Sequence, residues 1–237
     1  MKGKHIELSE LSYSVRVKEW LKERYGIVEG QRIWERTQSR YNTYRNDLPE
    51  YGGKKNNHAS AIYGGLLIFS LVPSLPDQPP VEELQAFVNG LLMEPFQKLG
   101  KVFDLNRSLD MWLIDKVFQW SESRDRKMAA SAPDGFITVN ETYDKKNRAS
   151  RYHFTQCPNA EFAKKHELLS VLPLLCNSDF YGIEQIHGTL IRCGTCGQSD
   201  RCDYLVVGNQ NPIAAGYETV MDEAGYLVSR KKPKSNP

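Results

Sequence analysis

The hydrophobic period of this chain changes once, and that change limits what it can fold into. Up to residue 123 apolar residues recur at spacings of three and four, and from Gly135 they alternate. The first spacing marks one face of a helix and the second a half-buried strand. The stretch KMAASAPDG, 127–135, separates the two regimes. Before it, helices are predicted over 11–25, 29–46 and 57–71, from Val81 to a break at Pro95, and over 105–123. Their breaks fall in the turn-rich DLPEYGGKKNN and SLPDQPP, and Pro80 suits a helix start. Leu109, Trp112, Leu113, Lys116, Val117 and Trp120 form a stripe on the last of these helices, expected to face the core. After the boundary, 135–143 and 149–157 flank DKKNR as a hairpin. Helix follows over 158–171, opened by Pro158, and again over 173–181. A second pair of strands, 189–194 and 201–208, surrounds GQSD. The fold class is therefore α+β: a helical half, 1–127, packed on a ββαββ antiparallel unit, 135–208, that carries the candidate site. A C-terminal extension, 209–237, completes one integrated domain.

Charge and composition remove several function classes. The chain has 237 residues, 31 basic and 29 acidic, for a net charge of +2. That balance leaves no basic footprint for nucleic acid. The longest apolar run, 61–72, is shorter than the ~20 residues a membrane span needs and reads as a buried helix. The N-terminal MKGKHIELSELSYS lacks the apolar region of a secretory signal. No membrane partner is expected, and the cytoplasm is the expected compartment. Five cysteines, an odd number, also argue against a disulfide framework. The basic end, 229–237, reads as a solvated, disordered tail. The oligomeric state is left open, a homo-oligomer included.

The chemistry-bearing residues cluster in the second half. Cys157 precedes Pro158 at a strand–helix corner, where free N–H groups favour a thiolate; packing as a small hydrophobe explains it equally well. Cys176 and Asp179 share a helix face. A carboxylate raises a neighbouring thiol's pKa, so the pair suits proton transfer or an amidine-type cation. Cys193, Cys196 and Cys202 crowd one turn. Zinc on Cys176, Cys193, Cys196 and Cys202 is an alternative, though a single Cys-x2-Cys is weak support and no metal site is assigned. Strand alternation puts Cys202 and Tyr204 on one face, Asp203 and Leu205 on the other. No nucleotide-binding loop, dinucleotide fingerprint or serine-nucleophile elbow is present.

The ordered set C-x3-E-F-x-K-K-H-x-L-L (from Cys157), L-C-N-x-D (to Asp179) and L-I-R-x-x-T-x-G…C-D-Y (from Leu190) resembles the L-2-amino-thiazoline-4-carboxylic acid hydrolase family. A loop similar to L-P-x-x-G-G-K-x-N before a small-residue apolar helix extends the likeness, which covers most of 30–207. Cys193 and Cys196 lie outside the pattern, the turn before Cys202 is about one residue short, and Tyr204 stands for Phe. The second half is also similar to the vinyl-reductase-type ligand-binding fold, which implies helices against an antiparallel sheet.

The resemblance implies a hydrolase that opens a small cyclic amidine or isothiourea and needs no cofactor. Catalytic candidates are Cys176 as nucleophile, Asp179, Cys157, and His58 as general base. Substrate-binding candidates are Asn57, Arg192 (gripping a carboxylate), Thr195, Cys202 and Asp203. A thiolate adding to a protonated amidine carbon splits one hard step into two, and a carboxylate holds the amidinium N–H groups. The rival readings are a zinc-stabilised or ligand-sensing module without turnover, and a scaffold that uses the aromatic helices as an interface.

Overall fold

A computed structural model describes residues 5–233. The first half is helical: α1 (Tyr13–Asn46), α2 (Ala59–Leu71), α3 (Val81–Leu92), α4 (Glu94–Leu99) and α5 (Ser108–Met128). The two helices expected over 11–46 run on as α1, bent at Gly26, whose φ of 76° only glycine adopts without strain. Pro95 falls in the first turn of α4, so the break comes just before it, between Leu92 and Glu94. The apolar helix α2 is buried almost end to end and forms the centre of the core.

The second half holds β1 (Ile137–Asn140), β2 (Ala149–Gln156), α6 (Pro158–Lys165), α7 (Leu172–Gln185), β3 (Gly188–Ile191) and β4 (Cys202–Gly208). The helix expected over 158–171 stops at Lys165 because Glu167 takes a φ of 59°. The four strands form one antiparallel sheet in the order β1-β2-β4-β3. Tyr152 of β2 faces Tyr204 of β4, and Phe154 faces Cys202. This face joins the helical core, with α5 against β1 and β2 and α7 against β3. Ala149, Ile191, Leu205 and Val207 form a smaller cluster on the other face, covered by Ile213, Ala214 and Tyr217. The architecture is the α+β arrangement expected.

Two expectations are corrected. The stripe on α5 faces outward: Leu109 is 64% exposed and Trp120 55%. The face that α5 buries instead carries Met111, Ile114, Asp115 and Asp125. Asp115 accepts a hydrogen bond from Ser150 (2.8 Å) and Asp125 one from Thr138 (2.5 Å). Buried carboxylates with fixed partners, rather than the longer apolar stripe, orient the helix. The C-terminal extension is also ordered through residue 233: α8 (Pro212–Ala215) leads into the hairpin β5 (Tyr217–Met221) and β6 (Leu227–Lys231). Ser229, expected in a solvated tail, is buried in β6, while 234–237 lie outside the described residues. Among the described residues no helix is long and apolar enough to cross a membrane.

Candidate active site

α7 is built to present Cys176 and Asp179 together. Pro173 sits in its first turn, Leu172, Leu174 and Leu175 are buried, and the i, i+3 spacing sets the thiol and carboxylate on one face. Both are half-buried. Asp179 keeps 35% of its side chain uncovered although Arg192, against it, is fully buried. Arg192 follows β3 and donates to Asp179 Oδ2 (3.2 Å), to the Cys176 carbonyl (2.9 Å) and to the Leu227 carbonyl (3.2 Å). Its guanidinium lies over Phe180 at 4.8 Å. The Tyr204 hydroxyl donates to the same Asp179 oxygen at 2.7 Å, and Tyr152 stacks on the Tyr204 ring at 4.6 Å. Asp179 Oδ1 is left without a hydrogen bond and is not sealed from solvent. One carboxylate oxygen is therefore anchored and the other has no hydrogen-bond partner among the described residues.

The electrostatics follow from burial. Burial raises the Asp179 carboxyl above its ordinary value, against the pull of Arg192 and the Tyr204 hydroxyl. Burial also pushes the Cys176 thiol up; Arg192 opposes this, and Cys202 and Asp179 add to it. Burial disfavours the Arg192 cation, but Tyr204, Asp179 and Cys176 together outweigh it and raise its pKa. Cys157 caps the N-terminus of α6 as the sequence places it. The amides of Ala160 and Asn159 draw its pKa down, yet burial, with Cys202 and Cys176, drives it well above the ordinary value. The resting site therefore holds thiols, not thiolates.

The remaining candidates divide. Cys202 lies on the same sheet face as Tyr204 and accepts a hydrogen bond from the Cys196 amide at 3.0 Å. Thr195 is fully buried in the loop between β3 and β4, and its hydroxyl has no partner. Asp203 points the other way and accepts from the Cys193 amide (3.2 Å) and the Gly194 amide (2.6 Å), clasping the start of that loop. His58 and Asn57 belong to a second network. His58 Nε2 lies 3.0 Å from Asp125 Oδ1 and 3.3 Å from Ser121 Oγ, and Asn57 donates to Ser121 at 2.9 Å. A ring contact with Phe154 at 6.1 Å, itself 5.5 Å from Tyr204, links the two networks. His58 makes no hydrogen bond or ion pair with Cys176 or Asp179. Of the cysteines in the zinc alternative, Cys196 and Cys202 are buried and adjoin, whereas Cys193 is exposed, with its sulfur 3.6 Å from the Ser229 carbonyl. Among the described residues no group of three or more His, Cys, Asp or Glu side chains is placed to hold a metal ion.

Sequence reasoning gave no site role to Tyr152, Tyr204, Asn177, Ser229 or Tyr226, although Tyr204 and Asn177 fall within its motifs. The first two were detectable, since alternation puts Tyr204 on the Cys202 face and Tyr152 belongs to the paired strand. The last two lie in a segment without a motif.

The geometry thus brings a half-buried thiol and a carboxylate together on one helix face within an α+β frame. The chain belongs to the L-2-amino-thiazoline-4-carboxylic acid hydrolase family, whose model matches residues 65–206. The family's name carries a hydrolase activity on a thiazoline. No curated protein and no solved structure matches the chain.

Proposed function

We propose that this protein hydrolyses a small cyclic amidine of the isothiourea type, with Cys176 as nucleophile and Asp179 as the group that binds the amidinium and manages its protons. The free Asp179 Oδ1 beside a half-buried Cys176 carries the reading. An amidinium N–H donates to that oxygen by a charge-assisted hydrogen bond, which concentrates positive charge on the ring carbon. The bound cation also favours ionisation of the thiol, whose pKa is raised at rest. Asp179 takes the thiol proton, sulfur adds to the carbon, and the ring bond to the leaving nitrogen or sulfur breaks as that atom is protonated. Water then releases the covalent intermediate and restores Cys176. Arg192 is a positioning residue here, because it is fully buried and donates to Asp179 and to the Cys176 and Leu227 carbonyls. Cys157 and Cys202 serve as the wall beside the nucleophile.

The test is turnover of 2-amino-thiazoline-4-carboxylate, followed by loss of the ring, in wild type and Cys176→Ala. Removing an activated nucleophile is expected to lower kcat by at least about 10³-fold. Activity of Cys176→Ala within tenfold of wild type refutes the assignment.

A further inference from the structure

The family match ends at residue 206, yet the site does not. The hairpin β5–β6 is laced to it from both sides. Asn177 of α7 donates to the Gly225 carbonyl (2.9 Å) and accepts from the Leu227 amide (2.8 Å). Arg192 donates to the Leu227 carbonyl, and its own carbonyl accepts from the Ser229 amide at 2.7 Å. Gln198, in the loop between β3 and β4, donates to Asp222 at 2.9 Å. These bonds seat Tyr226 between α7 and that loop. It is only 2% exposed, and a Cβ on Gly197 would collide with its hydroxyl. The hydroxyl has no hydrogen-bond partner among the described residues and is not sealed from solvent. Burial raises the pKa of this phenol, and Cys176, Asp222 and Cys202 add to the rise.

A buried phenol with an unused hydroxyl, seated against the helix that carries the nucleophile, is a donor waiting for a ligand. The cation beside Cys176 is Arg192; its terminal nitrogens go to Asp179 and to the Cys176 and Leu227 carbonyls, and its Nε is buried without a partner. Because that side chain is fully buried, a neutral donor nearer the surface offers an anionic group on the substrate a second hold. We infer that Tyr226, on a hairpin outside the family match, is a specificity-determining residue of the Cys176 site: its ring closes one wall, and its hydroxyl donates to the carboxylate of the substrate. Burial keeps this phenol protonated at all working pH values, so it donates throughout. The hydroxyl's role rests on the function proposed above; the wall does not.

Two measurements separate these parts. In the first, Cys176 is alkylated with iodoacetamide and with a bulky aryl maleimide, and the rates are read by peptide mass spectrometry in wild type, Tyr226→Phe and Tyr226→Ala. Tyr226→Ala is expected to raise the maleimide rate at Cys176 at least tenfold relative to iodoacetamide, and Tyr226→Phe to leave the ratio unchanged. An unchanged ratio in folded Tyr226→Ala overturns the wall. Should that variant not fold, Gly197→Ala, which displaces the phenol, is read by the same ratio. The second measures affinity, on the Cys176→Ala background, for 2-amino-thiazoline-4-carboxylate and for 2-amino-thiazoline, which lacks the carboxylate. Tyr226→Phe is expected to weaken the first about tenfold and leave the second unchanged. Equal effects on both, or none, overturn the hydroxyl's role. Absence of any binding overturns it together with the proposed function, while the labelling result stands by itself.

Discussion

Replacing Asp179 with Asn keeps the shape of the side chain and removes its charge. Two consequences for stability oppose each other. The carboxylate lies 3.2 Å from the Arg192 guanidinium. At an effective dielectric of ~20 such a pair is worth about 5 kcal/mol. With 35% of the Asp179 side chain uncovered, solvent screening brings this to about 2–3 kcal/mol. Against it stands the cost of holding a carboxylate among buried groups, several kcal/mol per ion. The raised pKa of Asp179 puts the balance on the side of the neutral form. Its folded pKa lies above the unfolded one, so stability falls as pH rises from the ordinary carboxylate value through the raised one. Above that window the ionised group is a net burden. Asp179→Asn is therefore expected to leave Tm at neutral pH within about 4 °C of wild type, or to raise it. Activity is expected to behave differently. Loss of a charge-assisted contact costs about 1.5–3 kcal/mol and loss of proton transfer about 10²–10⁴-fold, so kcat/KM should fall by roughly 10³ or more. The wild-type acid limb of kcat/KM should lie above the ordinary carboxylate value of about 3.9, since activity is lost as pH drops through the Asp179 pKa. Thermal melts and pH–rate profiles of both proteins are the assay. Asp179→Asn activity within tenfold of wild type, or a wild-type acid limb at or below the ordinary value, refutes the reasoning.

Three further outcomes follow from the same geometry. Asp203→Ala removes the acceptor for the Cys193 and Gly194 amides and should cost about 1–3 kcal/mol in urea melts; a loss confined to activity, with stability intact, would make Asp203 a substrate ligand after all. Trp120→Ser should change stability by no more than about 0.5 kcal/mol because the ring is 55% exposed, whereas Phe69→Ala, 1% exposed, should cost about 3–5 kcal/mol; equal costs would return the α5 stripe to the core. A chelator is expected to leave both folding and turnover of the purified protein unchanged, read by circular dichroism and the ring-opening assay; loss of either would establish the zinc alternative.

The fold was legible where one signal acted alone and illegible where two competed. The switch in period located the sheet, and alternation in 202–205 separated Cys202 and Tyr204 from Asp203 and Leu205, as the register shows. Helix α5 misled because it carries two stripes at the same spacing. The more apolar one is exposed, and the buried one contains Asp115 and Asp125, whose value depends on Ser150 and Thr138 from distant strands. No local pattern reports a partner that far along the chain. The same limit governs the site. Cys176 and Asp179 are neighbours on one helix, so their pairing was written in the i, i+3 spacing. Arg192 was found, but its burial and its contacts with Leu227 and Ser229 were not, because they come from a hairpin that meets it only in the folded chain. Asn177 and Arg192 meet Gly225, Leu227 and Ser229 only across the folded chain, so no local pattern reports what the hairpin adds to the Cys176 surroundings.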